Sequence, residues 1–319
     1  MIFIKDMQNG DRVSGTYFCK QKNSAVTRNG KPYDNAILQD KTGQIDAKIW
    51  EPDSQGIGEF QAMDYVEVVG EVSLFNGAPQ LSIKRARYVD PASVDASLYY
   101  PVSARSTDEM YTELLSVVEG VKEEHLKALL NSLFVEDKDL AAAFRKSSAA
   151  KSVHHAFIGG LLEHTLGVAA LCAVYCDRYP EMDRDLLLTA ALCHDIGKTR
   201  ELSLFPANDY TDEGQLMGHI VIGAQMLEER IRAIDGFPVL LHQKLIHCIL
   251  AHHGEYEFGS PKKPAIMEAV ALHMADNTDA KLESFRELTA GAKTPGWQGF
   301  NRVFDSNIYL ERTGSTGGT

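Results

Sequence analysis

Residues 186–193 are apolar on nearly every side, and the run ends in Cys193-His194-Asp195-Ile196-Gly197-Lys198. A helix that is hydrophobic all round is a buried one, so this segment carries an imidazole and a carboxylate into the interior. No Arg or Lys stands between Leu186 and Lys198, and a buried carboxylate is costly unless it is paired or bound to a metal. A divalent cation would satisfy both groups. A hydrogen-bonded His-Asp pair at a helix end is the plainer alternative.

The pair has company. His164 follows Gly159-Gly160-Leu161-Leu162-Glu163, His219 follows Gly218, His252 and His253 follow Leu250-Ala251, and Asp276 closes His273-Met274-Ala275. Each stands in or at the edge of an apolar helical pattern. Imidazole and carboxylate together suit Mn, Fe, Ni or Zn, and five or six such ligands with an Asp available to bridge suggest two ions.

The order H, HD, H, HH, D resembles the HD-domain metal-dependent phosphohydrolases. Lys151-Ser152-Val153-His154-His155, Gly159-Gly160-Leu161-Leu162-Glu163-His164-Thr165, Gly214-Gln215-Leu216-Met217-Gly218-His219 and the run from His252 through Gly254-Glu255-Tyr256-Glu257-Phe258-Gly259-Ser260-Pro261 look, within that group, like the YhaM-type 3′-to-5′ exoribonucleases. The cyclic-dinucleotide HD-GYP branch carries an acidic residue one helical turn before its first His, where this chain has Gly160.

The remaining sequence sets the frame. A chain of 319 residues, 44% hydrophobic and 24% charged, suits a globular protein of two domains. No apolar run approaches the ~20 residues of a membrane span and the N-terminus is not a signal peptide, so no membrane partner and a cytoplasmic location are expected. The five cysteines form no CxxC pair and read as reduced small hydrophobes, with Cys193 the one conceivable ligand. A net charge of −12 argues against coating nucleic acid by electrostatics alone. Residues 1–100 hold 11 basic and 13 acidic side chains, so the acidity lies mainly in the rest.

Between residues 10 and 89 short alternating segments at 13–20, 34–39, 44–50, 64–75 and 79–88 read as strands, with turns at Asp40-Lys41-Thr42-Gly43 and Asn76-Gly77. Five strands and one short helical candidate at 57–62 predict an OB-type barrel. In the third strand Ile45, Ala47 and Ile49 would face inward, placing Lys48 and Trp50 together on the other face as a base-stacking platform, or Trp50 under a loop. Lys20, Lys22, Arg28 and Lys31 cluster around the first long loop, and Lys84, Arg85 and Arg87 on the last strand; both could follow a phosphate backbone or simply be solvated.

Residues 90–105, with Pro91 and Pro101, read as a linker. Ser106 and Glu109 fit a capping box, and helices are expected at 107–118, 122–133, 137–146, 156–178, 184–195, 214–234, 238–252 and 264–290. The fold class predicted is thus multidomain: an all-β five-stranded OB-type barrel over 1–90, a linker over 91–106, an all-α HD-domain bundle over 107–311 and a disordered tail over 312–319.

The resemblance implies that His164, His194, Asp195 and Asp276 hold one ion and that His219 with His252 holds a second, Asp195 bridging; His253 is either the ligand in place of His252 or a group for phosphate or a further ion. It implies a divalent transition-metal cofactor, Mn²⁺ first and Fe²⁺, Co²⁺, Ni²⁺ or Zn²⁺ as alternatives. Lys198, one turn past the catalytic Asp195, would meet a phosphate oxygen or act as a surface residue complementing the helix dipole. Gly159-Gly160 would cost about 1 kcal/mol each relative to Ala inside a helix, which suggests close approach of backbone or substrate. His154 and His155 are candidates to grip a terminal nucleotide, while His125, His242, His247 and His273 read as structural or surface residues.

The activity implied is trimming of single-stranded RNA, or single-stranded DNA, to nucleoside 5′-monophosphates, by a chain that could form a homo-oligomer. Three other readings stay open: hydrolysis of a small nucleotide or dinucleotide, di-iron oxygenation, and a non-catalytic single-strand binder with structural metals.

Overall fold

The computed structural model describes residues 1–151, 155–291 and 294–311. They divide into two compact units, Met1–Val102 with Phe205–Asn208, and Ser103–Leu204 with the residues from Asp209 onward.

The first unit is a closed barrel of β1 (Arg12–Val26), β2 (Pro32–Asp40), β3 (Gly43–Ile49), β4 (Tyr65–Phe75) and β5 (Ala78–Val89), ordered β1-β2-β3-β5-β4. All pairs are antiparallel except β3 with β5, where Ala47 lies opposite Leu81. That is the five-stranded Greek-key closure of an OB-fold, as expected. Alternation drives it: Ile45, Ala47 and Ile49 are buried with Tyr17, Leu38, Val66, Val68 and Leu81, while the intervening side chains point outward.

Three expectations need correction here. Residues 57–62 are not helical: Ile57 forms a parallel bridge with Ala86, and Gly58 N–H donates to the Ala86 carbonyl at 2.8 Å. The glycines permit this, since a Cβ on Gly56 would stand 2.9 Å from the Lys84 carbonyl oxygen. The stretch expected to be a linker is folded with the barrel as far as Val102, because Tyr99 and Tyr100 are buried, their rings packed on Tyr65 and Phe18. Lys20 and Lys22 belong to β1 rather than to a loop, and Lys22 pairs with Asp34 at 3.2 Å.

The second unit is built from α1 (Thr107–Gly120), α2 (Glu124–Asn131), α3 (Lys138–Lys146), α4 (Gly160–Arg178), α5 (Arg184–Cys193), α6 (Lys198–Glu201), α7 (Asp212–Arg232), α8 (Val239–Ala251) and α9 (Met267–Gly291). Ser106 caps α1 by accepting from Glu109 N–H. One core joins Leu126, Phe134, Phe144, Leu161, Leu187 and Ile249, and all eight residues from Leu186 to Cys193 on α5 are buried. The unit is not helical to its end: β6 (Gly296–Asn301) and β7 (Ser306–Leu310) form a hairpin. It buries only Ile308 and Leu310, so no strong alternation announces it. The tail expected to be disordered lies outside the described residues. Among the described residues no helix is long and apolar enough to cross a membrane.

Candidate metal centre

Five helices deliver the polar groups to one point. His164 stands in the first turns of α4, His194 and Asp195 in the turn after α5, His219 in α7, His252 and His253 at the end of α8, and Asp276 in α9. Glycines let these segments close on one another. Gly159 takes φ +84° to start α4, and a Cβ on Gly160 would stand 2.0 Å from the His155 carbonyl oxygen, so the Gly-Gly pair answers a close backbone approach. Gly218 (φ +73°) kinks α7 immediately before His219, and a Cβ on Gly197 would meet the His219 carbonyl oxygen at 2.0 Å.

The carboxylate of Asp195 lies in the middle. Its Oδ2 is 3.6 Å from His164 Nε2 and 3.4 Å from His194 Nε2; its Oδ1 is 3.4 Å from His219 Nε2 and 3.6 Å from His252 Nε2. Asp276 Oδ1 is 3.1 Å from His164 Nε2 and 4.0 Å from His194 Nε2. Two lobes of donors meet the two oxygens of Asp195, His164 with His194 and Asp276 at one and His219 and His252, with His253 beside them, at the other, while His155, His164 and Asp279 form a third group adjoining the first lobe. Both histidines of the pair after α8 join the second lobe, with their rings 4.4 Å apart.

Protons are fixed on the outside of this ring. Nδ1 of His194 meets the Ala191 carbonyl (2.8 Å), that of His252 the Ile249 carbonyl (2.7 Å) and that of His253 the Phe258 carbonyl (2.8 Å). Nδ1 of His164 meets Asp279 Oδ2 at 2.7 Å and that of His219 meets Glu201 Oε1 at 3.0 Å. Each of these partners accepts only, so each Nδ1 carries a hydrogen and Nε2 is the ring nitrogen turned inward, where it would offer its lone pair to a bound cation. Among the described residues, Asp195 Oδ1, His219 Nε2 and His252 Nε2 are buried without a hydrogen-bond partner. Buried acceptors converging on one another repel unless positive charge lies between them, and imidazole with carboxylate is the donor set of a divalent transition metal. The residues fit such a group.

The charges tell the same story. Burial opposes ionisation of Asp195, yet Lys198 and the surrounding imidazoles hold its carboxyl well below the usual range. Burial likewise opposes a charge on His164, but hydrogen bonds to Asp276 and Asp279 override it and raise the imidazole to about 9. His252 and His253 are pushed down, by burial first. Lys198 Nζ lies 2.6 Å from Asp195 Oδ2 with a side chain 13% exposed, and its charge is reinforced by Asp195 against burial. It is thus no exposed surface lysine. Burial raises the Cys193 thiol far above neutrality, consistent with a reduced hydrophobe rather than a ligand.

Asp279 and Glu201 carried no signal that sequence reasoning used. The three-residue spacing of Asp276 and Asp279 on one helix face was the available clue. His154 lies outside the described residues. His155 is 3% exposed, its ring 5.3 Å from that of His164 and its Nε2 3.9 Å from Asp279 Oδ2, so it stands beside the first lobe. The other four histidines all have partners: His125 with Glu123, His242 with Glu228, His247 with Ala265 N–H and His273 with the His252 carbonyl.

On the barrel, Lys48 and Trp50 both approach the Tyr33 ring, the Lys48 ammonium at 5.9 Å from its centroid. Lys48 is held between Asn35 and Asp46, whereas Trp50 is 49% exposed and lies 5.4 Å from the ring of Tyr33, tilted by 30°. Lys84, Arg85 and Arg87 line a separate cleft of about 780 Å³ on β4 and β5, with Arg87 paired to Glu67 at 2.7 Å.

The HD domain family matches residues 161–281. The chain is 33% identical over 276 residues to the 3′-5′ exoribonuclease YhaM of Bacillus velezensis, covering 86% of each chain, and 32% identical over 296 residues to that of Listeria innocua, covering 92% of each. Among solved structures it is similar to the second OB-fold domain of replication protein A from Methanococcus maripaludis, with 17% identity, a TM-score of 0.23 and coverage of 30% of this chain and 98% of that one. The protein is a hydrolytic nuclease and belongs to the YhaM family of 3′-5′ exoribonucleases.

Proposed function

We propose that the protein is a metal-dependent exoribonuclease that shortens single-stranded RNA from its 3′ end, releasing nucleoside 5′-monophosphates, and that it works with two divalent ions in the cytoplasm. The observation that carries this reading is the inward convergence of four Nε2 atoms on the two oxygens of Asp195. His164, His194 and Asp276 would hold one ion and His219, His252 and His253 the other, with Asp195 between them. Bound there, divalent ions supply Lewis acidity, polarising a phosphoryl oxygen and acidifying the attacking water; Mn²⁺ heads the list of suitable ions.

The protein's own groups complete the site. The ammonium of Lys198 stands beside Asp195, where it can turn to a non-bridging phosphate oxygen and stabilise the charge that grows during attack. The aromatic pair Tyr33 and Trp50 offers a sequence-tolerant stacking surface, and Lys84, Arg85 and Arg87 offer charge for the backbone. Single-stranded DNA would use the same surfaces, since no 2′-hydroxyl is required for stacking.

The test is incubation of 3′- and 5′-labelled oligoribonucleotides with Mn²⁺, with the native protein and with Asp195→Ala. The 5′-labelled strand should shorten as a ladder while the 3′ label leaves as a mononucleotide, both abolished by the substitution. Internal cuts, or turnover of free nucleotides alone, would overturn the proposal.

A further inference from the structure

The two lobes are each backed by a carboxylate on the outer face of one imidazole, Asp279 behind His164 and Glu201 behind His219, and Asp279 also lies 3.9 Å from His155 Nε2. Asp279 Oδ2 accepts from Nδ1–H of His164 at 2.7 Å, and a Cβ on Gly167 would stand 2.1 Å from its Oδ1. The absence of a side chain on α4 at that position is what lets the carboxylate lie against the helix. Glu201 Oε1 accepts twice from one residue, from the backbone N–H of His219 at 2.9 Å and from its Nδ1–H at 3.0 Å. The backbone N–H is available because the kink at Gly218 interrupts the helix immediately before His219. Each carboxylate thus fixes both the tautomer and the ring direction of one imidazole, and strengthens its lone pair as a donor.

We propose that Asp279 and Glu201 are positioning residues, one for each metal lobe, and that they set the affinities of the two ions separately: Asp279 through His164, and Glu201 through His219. This rests on the two-ion reading above. It goes further in assigning each lobe its own control, so that one ion can be weakened while the other stays bound. His194, His252 and His253 lack such an arrangement, their Nδ1–H groups being held by main-chain carbonyls that substitution cannot remove.

The experiment is calorimetric titration of the chelator-treated full chain with Mn²⁺, following stoichiometry and affinity rather than turnover. The native protein should take up two ions. Glu201→Ala should weaken one of them about 10- to 100-fold and leave the other unchanged, and Asp279→Ala should do the same to the opposite one. Added to His219→Ala, Glu201→Ala should subtract nothing further, whereas added to His164→Ala it should weaken the ion that remains. Glu201→Gln and Asp279→Asn keep an oxygen acceptor and should recover most of the affinity, which separates loss of the hydrogen bond from loss of the fold. Native-like titration of both alanine variants, or equal weakening of both ions by either one, would overturn the assignment while leaving the nuclease reading intact. A native protein that binds no ion would overturn both.

Discussion

The ammonium of Lys198 lies 2.6 Å from Oδ2 of Asp195, the same oxygen that faces His164 and His194. A lysine so placed neutralises a buried carboxylate that metal ions would also claim, and it stands within reach of whatever those ions bind. Lys198→Met separates the two roles. If the ammonium serves the phosphate, turnover should fall about 100-fold with both ions still bound. The chelator-treated variant should be destabilised by about 3–5 kcal/mol, because Asp195 keeps a buried charge without its partner. Loss of Mn²⁺ binding in the same variant would instead make Lys198 a support for Asp195.

Metal should stabilise the helical unit as well as activate it. Three buried acceptors at the centre have no hydrogen-bond partner among the described residues, and a ligand at 100 times its Kd contributes about 2.7 kcal/mol. For a unit of this size that corresponds to roughly 5–10 °C in Tm. Melting curves with chelator and with Mn²⁺ should differ by that amount, and the difference should vanish in Asp195→Ala. An unchanged Tm on adding Mn²⁺ to the native protein would contradict the centre described above.

Gly167→Ala offers an independent check on Asp279. A helix-interior Gly→Ala ordinarily stabilises by about 1 kcal/mol, but here the new methyl would collide with the Asp279 carboxylate. The collision is relieved by swinging that short side chain away from His164. Mn²⁺ affinity is therefore expected to fall about tenfold, with no gain in Tm for the chelator-treated protein. A variant that melts higher and binds Mn²⁺ normally would show that the hydrogen bond is dispensable.

The residues that converge on Asp195 were legible because metal chemistry would restrict a donor set to a few residue types, and because those residues interrupt apolar helices where a polar group needs a reason. The carboxylates behind them were not. Glu201 and Asp279 are ordinary helix residues in sequence, and only the fold shows that each meets a ring nitrogen. The barrel was legible from period-two alternation, as at Ile45, Ala47 and Ile49. Residues 57–62 misled because a short apolar stretch with glycines fits a helix as readily as a bridge to β5, and Tyr99 and Tyr100 were discounted because prolines flank them. The hairpin of β6 and β7 escaped notice because a bulge between Trp297 and Gly299 breaks its register.

Trp50 tests the barrel's share of the work. Half-exposed and tilted against Tyr33, it would hold a base worth about 1–3 kcal/mol. Trp50→Ala should raise KM for a long oligoribonucleotide about tenfold and leave kcat unchanged, because the candidate metal centre belongs to the other unit. An unaltered KM would leave the ring a packing residue of the β1–β2 turn.

The cleft on β4 and β5 makes a different prediction, in salt rather than in base stacking. Lys84 and Arg85 are exposed, whereas Arg87 is already paired with Glu67, so the three charges are not equivalent. Every phosphate of a single strand that a side chain neutralises adds about 0.7 to the log–log salt slope of binding. Lys84→Gln with Arg85→Gln should therefore flatten the slope by about 1.4. Adding Arg87→Gln should flatten it by less than about 0.7 more, since Glu67 is left without its cation at the same time. Binding of a non-hydrolysable oligonucleotide across a range of salt concentrations measures this directly. A slope unmoved by the double substitution would mean that the strand passes elsewhere on the barrel, and the Tyr33–Trp50 face would then be the surface to follow.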